Sequence, residues 1–147
     1  MSSHDHRLLP SASMERRLHP FHAFLLASAA TLFVCALMSD GAYFMTPEIQ
    51  WKNFATWLIL GGLVFGGCAV LWALVDVIRL RRDARRSVAV YFLILLVAWS
   101  LGIINELVHA KDAFASMPEG LILSAIVAAC AVVATVLGFS RLRAGEV

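Results

Sequence analysis

Residues 54–78 read FATWLILGGLVFGGCAVLWALVDVI, a stretch in which Asp76 is the only charged residue. A helix needs roughly 20 apolar residues to cross about 30 Å of hydrocarbon, and this run is long enough. Three further runs are apolar over near-spanning lengths: Phe21–Met38 before it, Val88–Asn105 and Gly120–Phe139 after it. The chain is 61% hydrophobic and 15% charged, where soluble domains carry about 25% charged residues. These observations predict an all-α integral membrane four-helix bundle, with spans near residues 20–40, 52–79, 87–109 and 118–140. Residues 1–18 and 141–147 are left as tails on a single domain of residues 19–140. The connections are too short for a second or extramembrane catalytic domain.

Directly after the opening stretch stands Arg79-Leu-Arg-Arg-Asp-Ala-Arg-Arg86. Together with Arg7, Arg16, Arg17, Arg141 and Arg143 it puts ten basic residues on one side of a four-span topology, against Lys52 and Lys111 on the other. The positive-inside rule then predicts both termini and an Arg79–Arg86 loop in the cytoplasm of a bacterial inner membrane, N-in/C-in. A basic run between two spans reads as a topology signal and an anionic-lipid contact rather than a nucleic-acid surface. The first apolar run is too long for the core of a signal peptide and is expected to remain as a span. The free-standing Cys35, Cys68 and Cys130 fall in three different spans with no paired spacing and are expected to serve as small packing residues.

Helix association in lipid depends on close approach and polar contacts. Gly62, Gly66, Ala69, Ala73 and Asp76 follow one another at three- and four-residue steps and so share a helical face. That face is expected inside the bundle, with self-association of two copies through Gly62 and Gly66 as the lesser alternative. Asp76 would be costly at membrane depth without a partner, and His19, His22, Tyr91 and Arg79 lie at a matching depth. A structural clasp is the first reading of this cytoplasmic-side cluster, with a proton, metal or cofactor role the second. His19 and His22 are three residues apart, a spacing that can bring two imidazoles to one metal, but the set lacks enough further ligands.

From His22 to Asp40 is 18 residues, five turns, so Asp40 shares the face of His22 at the opposite end of the first span. Asn105, Glu106 and His109 match its depth, with Lys52 and Asp112 nearby in sequence, and a second, outer cluster is expected. Loop anchoring is its first reading and a binding site its second. Haem held by two histidines is disfavoured, because His22 and His109 belong to opposite ends. Pro20 is expected to start the first helix, the second to begin near Pro47, and Trp51, Trp57 and a snorkelling Lys52 to mark the outer interface. Ser116-Met-Pro-Glu119 fits a capping box for the fourth helix.

Taken together, Arg17-Leu-His-Pro-Phe-His22, Ser39-Asp40, Asp76 after a Gly-rich second span, Asn105 and Pro118-Glu-Gly-Leu-Ile-Leu-Ser124 resemble the bacterial family called domain of unknown function 2231. Ala23 and Ala27 stand where that family often has further His or Pro, which leaves a site of three or more histidines unsupported. The resemblance implies a four-span domain, in some members joined to or encoded beside redox proteins. It therefore points to a non-catalytic accessory or anchor subunit with a redox protein as partner and a haem or quinone environment near His22, Asp76 and Tyr91. A purely structural or self-associating protein is the alternative, and a proton or small-solute carrier the third. No nucleophile–base arrangement, phosphate loop or metalloprotease motif is present.

Overall fold

The computed structural model describes residues 19–79, 82–111 and 113–143, with the side chains of 82–87, 113, 114 and 141–143 left aside; the expected tail 1–18, Asp112 and residues 144–147 lie outside the described residues. Its elements are α1 (Pro20–Met45), α2 (Ile49–Arg79), α3 (Arg82–His109), a 3-10 turn at Ala113–Ser116 and α4 (Glu119–Arg143). All four α-helices are long and apolar enough to cross a membrane. Each packs chiefly on two neighbours, in the ring order α1, α2, α3, α4.

The helix boundaries follow local chemistry. His19 caps α1, its Nδ1 accepting from the Phe21 N–H at 3.2 Å, and Pro20 occupies the first turn, where its missing N–H leaves no bond unmade. The expected end of span one at Asp40 is corrected: α1 runs on to Met45, because Gly41 keeps an ordinary helical φ and nothing crowds it. The second helix opens at Ile49, two residues after Pro47, and its 31 residues measure about 46 Å. The apolar span of the third helix, Val88–His109, agrees with the expected 87–109, while the helix itself starts earlier. Helix α3 already begins at Arg82, since an Arg- and Ala-containing segment without Gly or Pro has no reason to leave the helical conformation. The last helix runs to Arg143, and its apolar span, Glu119–Ser140, agrees with the expected 118–140.

The interior mixes small and polar residues with a few large apolar ones, and the exterior is dominated by large apolar side chains. The α2 face foreseen from its spacing is inside: Gly62, Gly66, Ala69 and Ala73 are buried. Gly62 admits the ring of Phe33 from α1, which would lie 2.8 Å from a Cβ at that position, and Gly66 faces Ala29 and Trp99. That Gly face is thus packed within one chain. Trp99 locks α3 to α2 by donating its Nε1–H to the Leu63 carbonyl at 2.9 Å. Phe24, Trp57, Leu71 and Leu107 point outward, each more than half exposed, the expected dress of a lipid-facing surface. Cys68 is exposed too, so it is not the packing residue expected of it, whereas Cys35 and Cys130 are partly covered.

Two apolar clusters fill the middle, one around Leu26, Tyr91 and Leu95, the other around Phe33, Ile59 and Val127. Between them a cavity of about 10 Å³ lies among Leu26, Phe33, Gly66, Trp99 and Thr135, room for about one water.

Candidate functional site

Polar groups collect at the two ends of this apolar middle, and the Asp40 end is the more completely assembled. Asp40 on α1, Asn105 and His109 on α3 and Ser124 on α4 are all nearly inaccessible, none exposing more than 3% of its surface. His109 Nε2 meets Asp40 Oδ1 at 2.7 Å. The Ser124 hydroxyl donates to the other carboxylate oxygen, Oδ2. Asn105 donates from Nδ2 to Ser124 Oγ at 2.8 Å, and His109 Nδ1 lies 2.9 Å from the Asn105 backbone carbonyl. A carbonyl has no proton to give, so Nδ1 carries the hydrogen. The Asn105 orientation follows from the same accounting, since the Ser124 proton is already committed to Asp40. The bonds form a closed circuit that leaves Asn105 by its side chain and returns to it at its backbone, tying three helices together.

Local sequence explains why the circuit closes. Asn105 and His109 are one turn apart on α3, as are Gly120 and Ser124 on α4. A Cβ at Gly120 would come within 2.9 Å of His109 Cε1, so glycine lets the imidazole lie flat against α4 while Ser124, a turn further on, supplies the hydroxyl. Asp40, Asn105 and His109 were expected together; Ser124 was not singled out as a site residue. Its signal was its place as a hydroxyl in register with Gly120, Val127 and Ala131 on the buried face of α4.

Helix α2 joins this end through Lys52. The expectation of a snorkelling Lys52 is corrected: it is 8% exposed and its Nζ donates to the Lys111 carbonyl on the α3–α4 connection. Continuing the α2 face backward from Gly62 by three- and four-residue steps reaches Ile59, Ala55 and then Lys52, which is why the side chain turns inward. Trp51 and Trp57 do face outward, as expected. The Glu119 carboxylate of the expected capping box accepts from Lys111 Nζ at 2.7 Å through one of its oxygens. Ser116 is fully buried before the cis Met117–Pro118 bond, and α4 starts at Glu119.

At the other end, His22 and Tyr91 are brought together as expected. Both are buried, and His22 Nε2 and the Tyr91 hydroxyl share a hydrogen bond of 2.8 Å between α1 and α3. His22 Nδ1 has no hydrogen-bond partner among the described residues. Trp72, not singled out beforehand, is the centrepiece here: its ring centroid lies 5.2 Å from that of His19 and 6.0 Å from that of His22. His19 is exposed and spends Nδ1 on the helix cap, so the two imidazoles share an indole while only one points inward. Asp76 stands one turn beyond Trp72, half-buried rather than fully inside.

The two ends are about 27 Å apart along α1, from the rise over 18 residues. His22 and His109 therefore do not meet. Among the described residues no three His, Cys, Asp or Glu side chains converge as a metal-binding group. The order of groups at the Asp40 end also differs from a nucleophile–base–orienter relay, in which imidazole stands between hydroxyl and carboxylate. Here the carboxylate stands between.

A family model described as "Predicted membrane protein (DUF2231)" matches residues 18–142, which takes in all four helices and both polar ends. The chain belongs to the DUF2231 family. Among the residues that carried the resemblance, Asp40, Asn105, Gly120 and Ser124 share one cluster, while His22 lies at the other end, against Tyr91, which was not among them. No curated protein and no solved structure matches the chain.

Proposed function

We propose that this DUF2231 protein is a non-catalytic accessory or anchor subunit of the bacterial inner membrane, holding a redox partner at the end that carries His22, Trp72 and Tyr91. The observation that carries the reading is the free nitrogen of a buried histidine: His22 is 1% exposed, is held by Tyr91 through Nε2, and keeps Nδ1 unspent among the described residues. A buried polar atom without a partner is rare and calls for an explanation, a ligand or partner group being one, and Asn105 Oδ1 and Glu106 Oε2 share the condition at the other end. Flanking aromatic rings suit a quinone or the edge of a haem. Both termini are read as cytoplasmic from the Arg distribution, which puts this end on the cytoplasmic side.

Isolation of the tagged chain from native membranes in mild detergent tests the anchor. Co-purification of a flavin, iron–sulfur or haem protein, weakened by His22→Ala, is the expected result. A Soret band after haem-replete expression would select the haem version.

The second reading, a purely structural membrane protein, is favoured by the closed circuit at the Asp40 end and by the apolar middle. It predicts recovery of one unaccompanied species. A carrier is ranked last, since an apolar plug with room for about one water separates the polar ends.

A further inference from the structure

Two acceptors at the Asp40 end stand outside the circuit. Among the described residues neither Asn105 Oδ1 nor Glu106 Oε2 has a hydrogen-bond partner, and both atoms are buried. Both belong to the seam between α2 and α3. Trp99, Gly102 and Glu106 follow one another at three- and four-residue steps, so Glu106 shares the face on which Trp99 bonds the Leu63 carbonyl and Gly102 meets the Leu63 side chain. Asn105 is completely buried and gives Nδ2 to Ser124 on α4, which turns its amide oxygen away from α4. Across the seam runs the α2 stretch 52–63, tied to α3 by the Trp99 bond and to the α3–α4 connection by Lys52 on the Lys111 carbonyl.

The side-chain donors along this seam are given to backbone carbonyls: Lys52 to Lys111, Thr56 to Lys52 and Trp99 to Leu63. No Lys or Arg among the described residues forms an ion pair with Glu106. A carboxylate at membrane depth is costly without a positive partner, and unpaired ones mark places where ions are held. Asp40 does not serve as a second anionic ligand, because His109 and Ser124 occupy both its oxygens. Nor does His109 offer a nitrogen, since both of its own are engaged. One carboxylate oxygen beside one amide oxygen suits a hard cation, for which oxygen is the preferred ligand. A single carboxylate balances a single charge. A divalent ion would leave charge uncompensated here, and a transition metal would favour nitrogen or sulfur.

We propose that the α2–α3 seam at the Asp40 end binds a monovalent metal cation through Glu106 Oε2 and Asn105 Oδ1. This stands apart from the anchoring role and concerns the opposite end of the molecule from His22. The bound ion draws the two helices together where directional bonds between their side chains are fewest, and it leaves the Asp40–His109 circuit as it is.

The test uses the full chain in nanodiscs of zwitterionic lipid, with hydrogen exchange read by mass spectrometry while sodium or potassium chloride replaces choline chloride at constant ionic strength. At about ten times the dissociation constant, peptides covering 52–63 and 99–109 should exchange about tenfold more slowly, and saturably, while those covering 22–30 and 69–76 keep their rate. In Glu106→Gln, which keeps the size of the side chain and removes its charge, the response should be lost; His22→Gln should retain it. A wild type indifferent to both ions, as a Glu106 neutralised by its own proton would be, would overturn the site. So would a slowing equal at the two ends of the bundle, a response to magnesium or calcium alone, or an unchanged response in Glu106→Gln. Should Glu106→Gln fail to fold, the wild-type contrast between the alkali ions and choline at the two ends decides alone.

Discussion

At the scale of single residues, glycines in this chain differ sharply in what they permit. Gly120→Ala would push a methyl into the His109 ring, and its expected effect is a loss of about 1–3 kcal/mol, as for overpacking in a tight core, with weakening of the Asp40–His109 bond. Gly41→Ala on α1 meets nothing within 4 Å and should instead stabilise by about 0.5–1 kcal/mol, the ordinary gain of alanine over glycine in a helix. Thermal unfolding of the two variants in the same detergent checks the pair, and similar melting temperatures would contradict the packing described for His109. The residues of the Asp40 cluster were legible to different degrees. Asp40, Asn105 and His109 announced themselves as polar groups at matching depths, whereas Ser124 is small enough to pass for a packing residue. Its role depends on a hydroxyl direction that spacing does not encode. Lys52 was read by the habit of lysine at interfaces, although its register on α2 already pointed inward.

At the scale of elements, the helices are joined by a few directional contacts over broad, small-residue seams. Removing the indole donor in Trp99→Phe leaves the Leu63 carbonyl with one donor fewer and should weaken the α2–α3 seam by about 0.6 kcal/mol, with about 1.7 kcal/mol as a ceiling for such bonds in membranes. Equilibrium unfolding in mixed micelles measures it, and a larger loss would mean that ring packing dominates. The span count, the start of α1 at Pro20 and the inner face of α2 were readable because hydrophobic length, proline position and small-residue spacing act locally. Boundaries at the basic segment were less readable. Charge tells where lipid ends, but Arg82 and its neighbours stay helical in water as readily as in a headgroup layer, so the end of the span and the end of the helix are different places.

At the scale of the whole molecule, topology and energetic independence are the quantities to measure. With Cys35, Cys68 and Cys130 replaced by Ser, a cysteine placed at Lys111 should react with a membrane-impermeant maleimide in intact cells, and one placed at residue 144 should not. The reverse pattern would invert the proposed orientation and place the His22 end outside. The apolar middle gives this architecture a further property. Because Asp40 and His22 are separated by five turns of helix, destabilisation by Asp40→Asn and by His22→Ala should sum to within about 0.5 kcal/mol in the double variant. One chain would then behave as two thermodynamically separate modules fastened to the same four rods, each free to be tuned by mutation without disturbing the other.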